Sequence, residues 1–310
     1  MASPDLSIII VSWNTRALLH SCLASIYATA GALSVQVIVV DSASTDDTVS
    51  MLMADYPQVI TLAQQENVGF TRGNNIGLAQ ATGRYLFLLN PDTLVMQGCL
   101  QGLVEYLEAH PDTGIVGPHT LNPDLTHQST RRRFPTLMTG LFESTWLQGI
   151  APKTLLDHFY VRDALDSDTV AVDWVQGSAL MARREVYERI GGLDEGFVMY
   201  SEELDWCRRA KDAGFGIVYV GDAQIVHYGG QSSGQSGARS QIHFQQSKIR
   251  YFRKHHGWAA AALIRLSLLK GYAWQTVLEG VKYLLNHKRE LRAERLRTYV
   301  QVMRALLRGG

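Results

Sequence analysis

Between residues 85 and 93 the chain reads Tyr-Leu-Phe-Leu-Leu-Asn-Pro-Asp-Thr. Five apolar or aromatic residues run straight into Asn90, Pro91 and Asp92. A continuous apolar run bounded by a turn signal predicts a strand buried on both faces. Pro91 cannot donate to a sheet ladder, so pairing should stop there. Asp92 is then presented at the carboxyl end of a central strand, where open parallel α/β sheets bind their ligands. A carboxylate and an amide two residues apart on a fixed turn can hold a divalent metal and its phosphate ligand. Asn-Pro-Asp is equally good Asx-turn chemistry, and this stretch alone leaves both readings open.

The rest of the chain supplies a scaffold for such an edge. LSIIIVSW and VQVIVVD read as buried strands, and a short strand is expected near residues 59–62. Between them Leu18, Leu19, Cys22, Leu23 and Ile26 recur at helical spacing. Ser44 and Asp47 have the spacing of a capping box. The stretch ENVGFTRGNNIGLAQATG reads as a Gly- and Asn-rich loop entering a helix, and Leu100, Leu103, Val104 and Leu107 mark another helix before the strand TGIVGP. This β-α alternation predicts a doubly wound, mostly parallel sheet. Residues 122–168, with Arg131, Arg132 and Arg133, read as an irregular insertion facing a substrate. MYSEELDWCRRAKDAG is a helix that Ser201 can cap, its first turn acidic as the helix dipole favours. GIVYVGDAQIVHYGG reads as two short strands ending at His227, residues 231–237 as a flexible loop, and everything beyond Ser240 as helix.

The formal net charge is zero, but it is unevenly placed: residues 248–310 carry fourteen Lys+Arg against three Asp+Glu. An acidic body with a basic tail suggests that the tail meets something anionic or another subunit. The three cysteines are odd in number and widely spaced, which excludes a disulfide framework or zinc spacing and fits a cytosolic site of action. The chain opens on a strand without a signal-peptide pattern. No apolar run reaches the roughly 18 residues of a spanning helix.

Nucleotide binding at strand one would normally use G-x-G-x-x-G or a Walker loop, yet the turn there is Ser12-Trp13-Asn14-Thr15. The same turn argues against a sugar-nucleotide pyrophosphorylase. Trp13 and Asp41 end adjacent strands, where an indole can stack on a base and a carboxylate can accept from a pyrimidine ring N–H; a core-edge tryptophan and a capping aspartate are the plainer readings. Arg72 can reach a phosphate or stand solvated. Glu202, Glu203 and Asp205 are three carboxylates in four residues, one of which can serve as a general base if partly desolvated. His227, at a strand end beside glycines, is a candidate metal ligand.

As a set, SIIIVSWN, VVDSASTDDT, ENVGFTRGNNIG, LFLLNPDT, GSALMARREVYERIGGLDEGFVMYSEELDWCRR and IVHYGG resemble the motif series of family-2 glycosyltransferases, in order and spacing over about residues 5–230. The nearest likeness is to the bacterial rhamnosyltransferase-like branch. The resemblance implies a GT-A fold over residues 1–239, followed by a basic helical region over 240–310. It further implies a nucleotide-diphospho-sugar donor, a divalent metal (Mn2+ or Mg2+), inversion at the anomeric carbon, and a glycan or lipid-linked acceptor. By position, Trp13 matches the aromatic that stacks on the base and Asp41 the acid that reads it. Asn90-Pro91-Asp92 matches the Asp-x-Asp metal motif, with Asp92 the direct ligand and Asn90 a ribose or water contact. His227 matches a histidine that ligates the metal in some relatives. Glu203 matches the base, although the family usually has Asp there; Asp205 is the next candidate and a residue to orient the acceptor.

The lead donor by resemblance is dTDP-rhamnose, with a UDP-hexose behind it. A non-catalytic nucleotide-sugar or glycan-binding relative and a nucleotidyltransferase are the rival classes. For the tail, an interfacial helix on an anionic leaflet at the inner face of the cell membrane stands beside a homo-oligomer interface. Nucleic acid is disfavoured because no aromatic platform accompanies the charge.

Overall fold

The computed structural model describes residues 3–229 and 237–308; most of the loop expected at 231–237 lies outside them. The strands are β1 (Leu6–Ser12), β2 (Val35–Asp41), β3 (Ile60–Ala63), β4 (Tyr85–Leu89), β5 (Thr93–Val95), β6 (Thr113–Leu121), β7 (Arg131–Arg132), β8 (Val170–Ala171), β9 (Trp174–Val175), β10 (Ala179–Arg183) and β11 (Gly216–His227). The helices are α1 (Arg16–Thr29), α2 (Thr48–Asp55), α3 (Phe70–Gln80), α4 (Cys99–Ala109), α5 (Leu137–Phe142), α6 (Lys153–Phe159), α7 (Arg184–Ile190), α8 (Glu202–Asp212), α9 (Gly237–His256), α10 (Trp258–Leu284) and α11 (Arg289–Arg308). The chain divides into two compact units. One comprises Met1–Phe134, Tyr160–Val198 and Glu202–Ser232; the other comprises Pro135–Phe159, Met199–Ser201 and Ser233–Gly310. The helical unit therefore also takes in residues 135–159, which lie on the transferase side of the boundary expected between 239 and 240.

In the first unit the main sheet runs β3-β2-β1-β4-β10-β6-β11-β5, with β8 alongside β11. The pairs β1–β2, β1–β4, β2–β3 and β6–β11 are parallel, whereas β10 and β5 run antiparallel to their neighbours. The apolar runs follow from burial on both faces. Leu6, Ile8 and Ile10 pack with Leu19 and Leu23 of α1 and Leu100 and Leu103 of α4, while Ile9 and Ile38 pack with Leu78 of α3 and Trp206 of α8. All three cysteines are buried, and burial pushes each thiol up to about 12. They act as small hydrophobes, as expected.

The Gly- and Asn-rich stretch enters its helix as expected: α3 starts at Phe70 after Gly69 turns the chain with φ 75°. Three local expectations are corrected. Ser44 does not cap α2: it accepts the Asn14 N–H at 2.9 Å, and the helix starts later, at Thr48. The two strands expected before His227 are one 12-residue strand with a register shift between Val220 and Gln224. The arginines of the supposed substrate-facing insertion turn inward. Arg131 is 2% exposed, donates to Leu165 O and Ala164 O at 2.8 and 2.7 Å, and stacks over Tyr219; Arg132 donates to Ser129 and stacks over Tyr160.

The helical unit closes on Tyr251, Phe252, Ile264, Leu268, Tyr272, Val302 and Leu306. Arg292 clamps Glu279 across α10 and α11, Nη1 to Oε2 2.7 Å. Among the described residues, no helix is long and apolar enough to cross a membrane.

Helix α3 approaches β1 through glycine. A Cβ on Gly77 would stand 2.4 Å from Ile9 Cγ2, and one on Gly73 2.8 Å from Val11 Cγ1. Ile9 is β-branched and wedged in the core, so it cannot yield cheaply. Gly77→Ala should therefore lower stability by about 1–3 kcal/mol despite the better helix propensity of alanine. A lowered urea midpoint at unchanged m-value would show this; a raised midpoint would mean the contact is slack.

Candidate active site

The parallel strands β2, β1 and β4 end side by side, so the residues that leave them share one edge of the sheet. Their loops are tied together. Ser42 N–H donates to Ser12 O at 2.8 Å, Asn14 N–H to Ser44 Oγ, and Thr45 N–H to Asn14 Oδ1 at 2.8 Å. Trp13 sits half-buried on this platform. Asp41 is 1% exposed; its Oδ2 accepts the Ser44 N–H at 3.0 Å, and its Oδ1 has no hydrogen-bond partner among the described residues. A buried carboxylate oxygen left open in this way costs about 1–3 kcal/mol, which a ligand N–H would recover.

At the end of β4 the expected stop occurs at Leu89, but the chain then re-enters the sheet as β5. Thr93, Leu94 and Val95 pair antiparallel with His227, Val226 and Ile225, and Tyr228 N–H continues the ladder to Asp92 O at 3.0 Å. His227 is thereby set against the Asn-Pro-Asp turn. Its Nε2 lies 3.3 Å from Asp92 Oδ1 and 3.4 Å from Asn90 Nδ2. Asp92 is 5% exposed, and Asn90 Oδ1 is buried without a partner among the described residues.

Gln128 is the member that sequence reasoning missed. Its Oε1 lies 2.7 Å from His227 Nδ1, while its Nε2 donates to Asn122 Oδ1 at 2.9 Å and to His227 O at 3.3 Å. With the amide oriented by those two acceptors, Oε1 must accept, so Nδ1 carries the ring proton. In the neutral ring Nε2 then turns its lone pair toward Asp92, and the Asn90 amide can donate to it. No local motif marks Gln128; only the return of the chain after β6 places it there.

Asp92 and His227 therefore present one carboxylate oxygen and one imidazole nitrogen side by side. That donor set suits a hard divalent cation completed by phosphate and water. No group of three or more His, Cys, Asp or Glu side chains suited to a metal occurs among the described residues.

The acidic trio at the start of α8 separates by burial. Asp205 is fully buried, and its Oδ2 accepts from Arg209 Nε at 2.8 Å while Arg209 Nη1 and Nη2 each reach a carbonyl, Ile190 O and Gly192 O, at 2.7 Å. That is a structural tie, and it does not fit a side chain that must meet an acceptor. Glu202 is 3% exposed with Oε2 unpartnered among the described residues; burial first, and then the neighbouring charge of Glu203, hold its carboxyl well above the usual range. Only Glu203 is partly exposed. Its Cβ and Cγ lie 3.5 Å from where a Gly177 Cβ would stand, and the next residue, Ser178, accepts the Asn90 N–H at 2.9 Å. One short loop thus links Glu203 to the Asn-Pro-Asp turn. Ser201 enters α8 with φ 64° and Tyr200 with φ 69°, unlike the extended backbone usual at an N-cap. Arg72, in the first turn of α3, is exposed with Glu66 3.6 Å away.

A family model described as Glycosyl transferase family 2 matches residues 7–191. An N-acetylglucosaminyl-diphospho-decaprenol L-rhamnosyltransferase of Mycobacterium tuberculosis is 28% identical over 241 residues, 74% of this chain and 78% of that protein. Rhamnosyltransferase WbbL of Escherichia coli is 30% identical over 168 residues, 52% of this chain and 61% of that protein. Among solved structures, a mannosyltransferase from Pyrobaculum calidifontis in complex with GDP-Man and Mn2+ superposes with TM-score 0.56 at 17% identity, covering 99% of this chain and 88% of that one, a likeness of fold. The chain belongs to glycosyl transferase family 2, as a rhamnosyltransferase-like glycosyltransferase with a GT-A-like fold.

Proposed function

We propose that this glycosyltransferase moves a sugar, with inversion, from a nucleoside-diphosphate donor to the hydroxyl of a glycan or lipid-linked acceptor, and that the transfer depends on a divalent metal. One arrangement carries this reading: the Asp92–His227 pair stands at the same sheet edge as the open acceptor of Asp41. Asp41 Oδ1 suits the imide N–H of a pyrimidine, with Trp13 against the ring face. Thymine and uracil share that edge. The rhamnosyltransferase names of the relatives favour dTDP-rhamnose over a UDP-hexose.

Asp92 and His227 would hold Mn2+ or Mg2+, which when bound supplies charge neutralisation for the diphosphate. Asn90 would turn its open Oδ1 to a ribose hydroxyl or a water. Glu203 takes the proton of the acceptor hydroxyl as that oxygen bonds to the anomeric carbon. The bond from the anomeric carbon to the diphosphate oxygen breaks, and its electron pair leaves with the nucleoside diphosphate. Burial, and then the neighbouring charge of Glu203, hold the Glu202 carboxyl well above the usual range, so the pair resists carrying two charges. Asp205 fixes α8 through Arg209.

Incubating the chain with dTDP-rhamnose or UDP-hexoses, with and without Mn2+, tests the function directly: metal-dependent release of nucleoside diphosphate is expected, and release of pyrophosphate would replace this reading with nucleotidyl transfer. Glu203→Gln should cut turnover by about 10²–10⁴ while donor affinity is kept; undiminished turnover would remove Glu203 from the base role. Gln128→Leu frees the His227 ring to rotate and change tautomer, and should weaken Mn2+ binding in the presence of nucleoside diphosphate by about 10- to 100-fold, read by the electron paramagnetic resonance of unbound Mn2+. An unchanged titration would show that His227 needs no such support.

Glu202 also has a consequence for stability. Its folded value lies above the ordinary 4.5, so the folded chain holds a proton that the unfolded chain releases. Stability contributed by this group is present at low pH and is lost as pH rises from 4.5 toward the folded value. Glu202→Gln should accordingly raise Tm at neutral pH and close the gap near pH 4.5. A constant Tm difference across that range would contradict the burial effect.

A further inference from the structure

Helix α10 is apolar on two opposite faces. Ala261, Ile264, Leu268 and Tyr272 are buried against the rest of the helical unit. At 100° per residue, Leu263, Leu266, Trp274, Val277, Val281 and Leu284 fall together on the other side, and all are exposed, Trp274 by 52% and Leu284 by 82%. This stripe runs about 30 Å along the helix, and Lys270 alone interrupts it with a charge. Trp258, 76% exposed, stands at the helix start. Soluble proteins rarely leave so continuous an apolar strip in water, and such strips mark interaction sites.

Charge decides what the strip fits. Residues 248–310 carry fourteen Lys+Arg against three Asp+Glu. One of the three acids, Glu279, is buried and already engaged by Arg292, Lys282 and Arg295. Exposed cations flank the strip in sequence, Arg253 and Lys254 before it and Lys288 and Arg289 after it. A second copy laid on this face would bring two such basic regions together, whereas anionic headgroups would neutralise them. Tryptophan favours the headgroup depth, where its ring is buried and its N–H stays wet. We propose that the outer face of α10 is a docking surface for an anionic lipid bilayer, with the helix lying in the plane of the headgroups. A helix with apolar and cationic surfaces that is not apolar enough to span lies on the membrane in this way. The surface would bring a lipid-linked acceptor to the enzyme, and in that respect alone it rests on the function proposed above; the binding does not.

The test needs no sugar donor. Full-length chain should co-sediment with phosphatidylcholine vesicles that contain phosphatidylglycerol, bind pure phosphatidylcholine weakly, and be released between about 0.1 M and about 1 M salt as the Debye length shrinks. Val277→Glu with Val281→Glu should weaken vesicle binding by at least about tenfold, with helix content and nucleoside-diphosphate binding unchanged. Equal binding to neutral vesicles, or no loss in the double variant, overturns the proposal. So does a concentration-dependent dimer, seen by sedimentation velocity, that the double variant dissociates while vesicle binding persists, since the strip would then be covered by a second copy. Because nucleoside-diphosphate binding is read separately, failure of the membrane surface and failure of the transferase reading are told apart.

Discussion

Three residue pairs of antiparallel sheet, Thr93 to Val95 against Ile225 to His227, hold together a site whose members are far apart in the chain. Asn90 and His227 are separated by 137 residues and meet at 3.4 Å. The pairing does two things at once. It satisfies the backbone beyond Pro91, where the turn would otherwise leave donors and acceptors unmet. It also fixes the register, and with it which side of β11 faces the turn. A slip of one residue would send the imidazole to the opposite face of the sheet. The geometry around Asp92 is thus only as secure as a three-residue edge strand, and the Tyr228 N–H to Asp92 carbonyl bond extends that grip by one more rung.

The parts of this arrangement that sequence made legible are those whose physics is local. Strands covered on both faces announce themselves as unbroken apolar runs, and β1, β2 and β4 lie where such runs predict. Asp41 and Asp92 stand out as acids at strand ends, and Glu203 as the one of three acids at a helix start that the family resemblance marks. What escaped was set by distant partners. Nothing in TLV or ALMAR says that β5 and β10 run antiparallel, because direction follows from which strand waits beside them. Gln128 is one polar residue in a loop, and its role exists only once the β11 carbonyl and Asn122 orient its amide. Charge misled in the other direction. Arg131, expected in a substrate-facing insertion, and Asp205, expected to orient an acceptor, are both buried, each hydrogen-bonded to partners more than three residues away.

The three acids of α8 illustrate how burial assigns chemistry to one composition. All sit in the first turn of the same helix, where the dipole favours negative charge. Asp205 is matched to Arg209 and so remains structural. Glu202 is desolvated beside another carboxylate, and two adjacent charges in a poorly solvated place cannot both persist at low cost. Glu203 alone of the three is not fully buried.

Three of the buried side-chain atoms without a hydrogen-bond partner among the described residues belong to candidate site residues or their neighbours: Asp41 Oδ1 after β2, Asn90 Oδ1 after β4 and Glu202 Oε2 at α8. Each costs the folded chain about 1–3 kcal/mol. The large apolar core on both faces of the sheet offsets that cost. Stability is therefore generated in the centre of the sheet and partly given up at its carboxyl edge, where Asp41 and Asn90 keep unpartnered oxygens. The division explains why the most apolar strands of the chain, β1, β2 and β4, are the ones that end in its candidate binding residues. A weaker strand could not hold an orphaned acceptor at its tip without fraying.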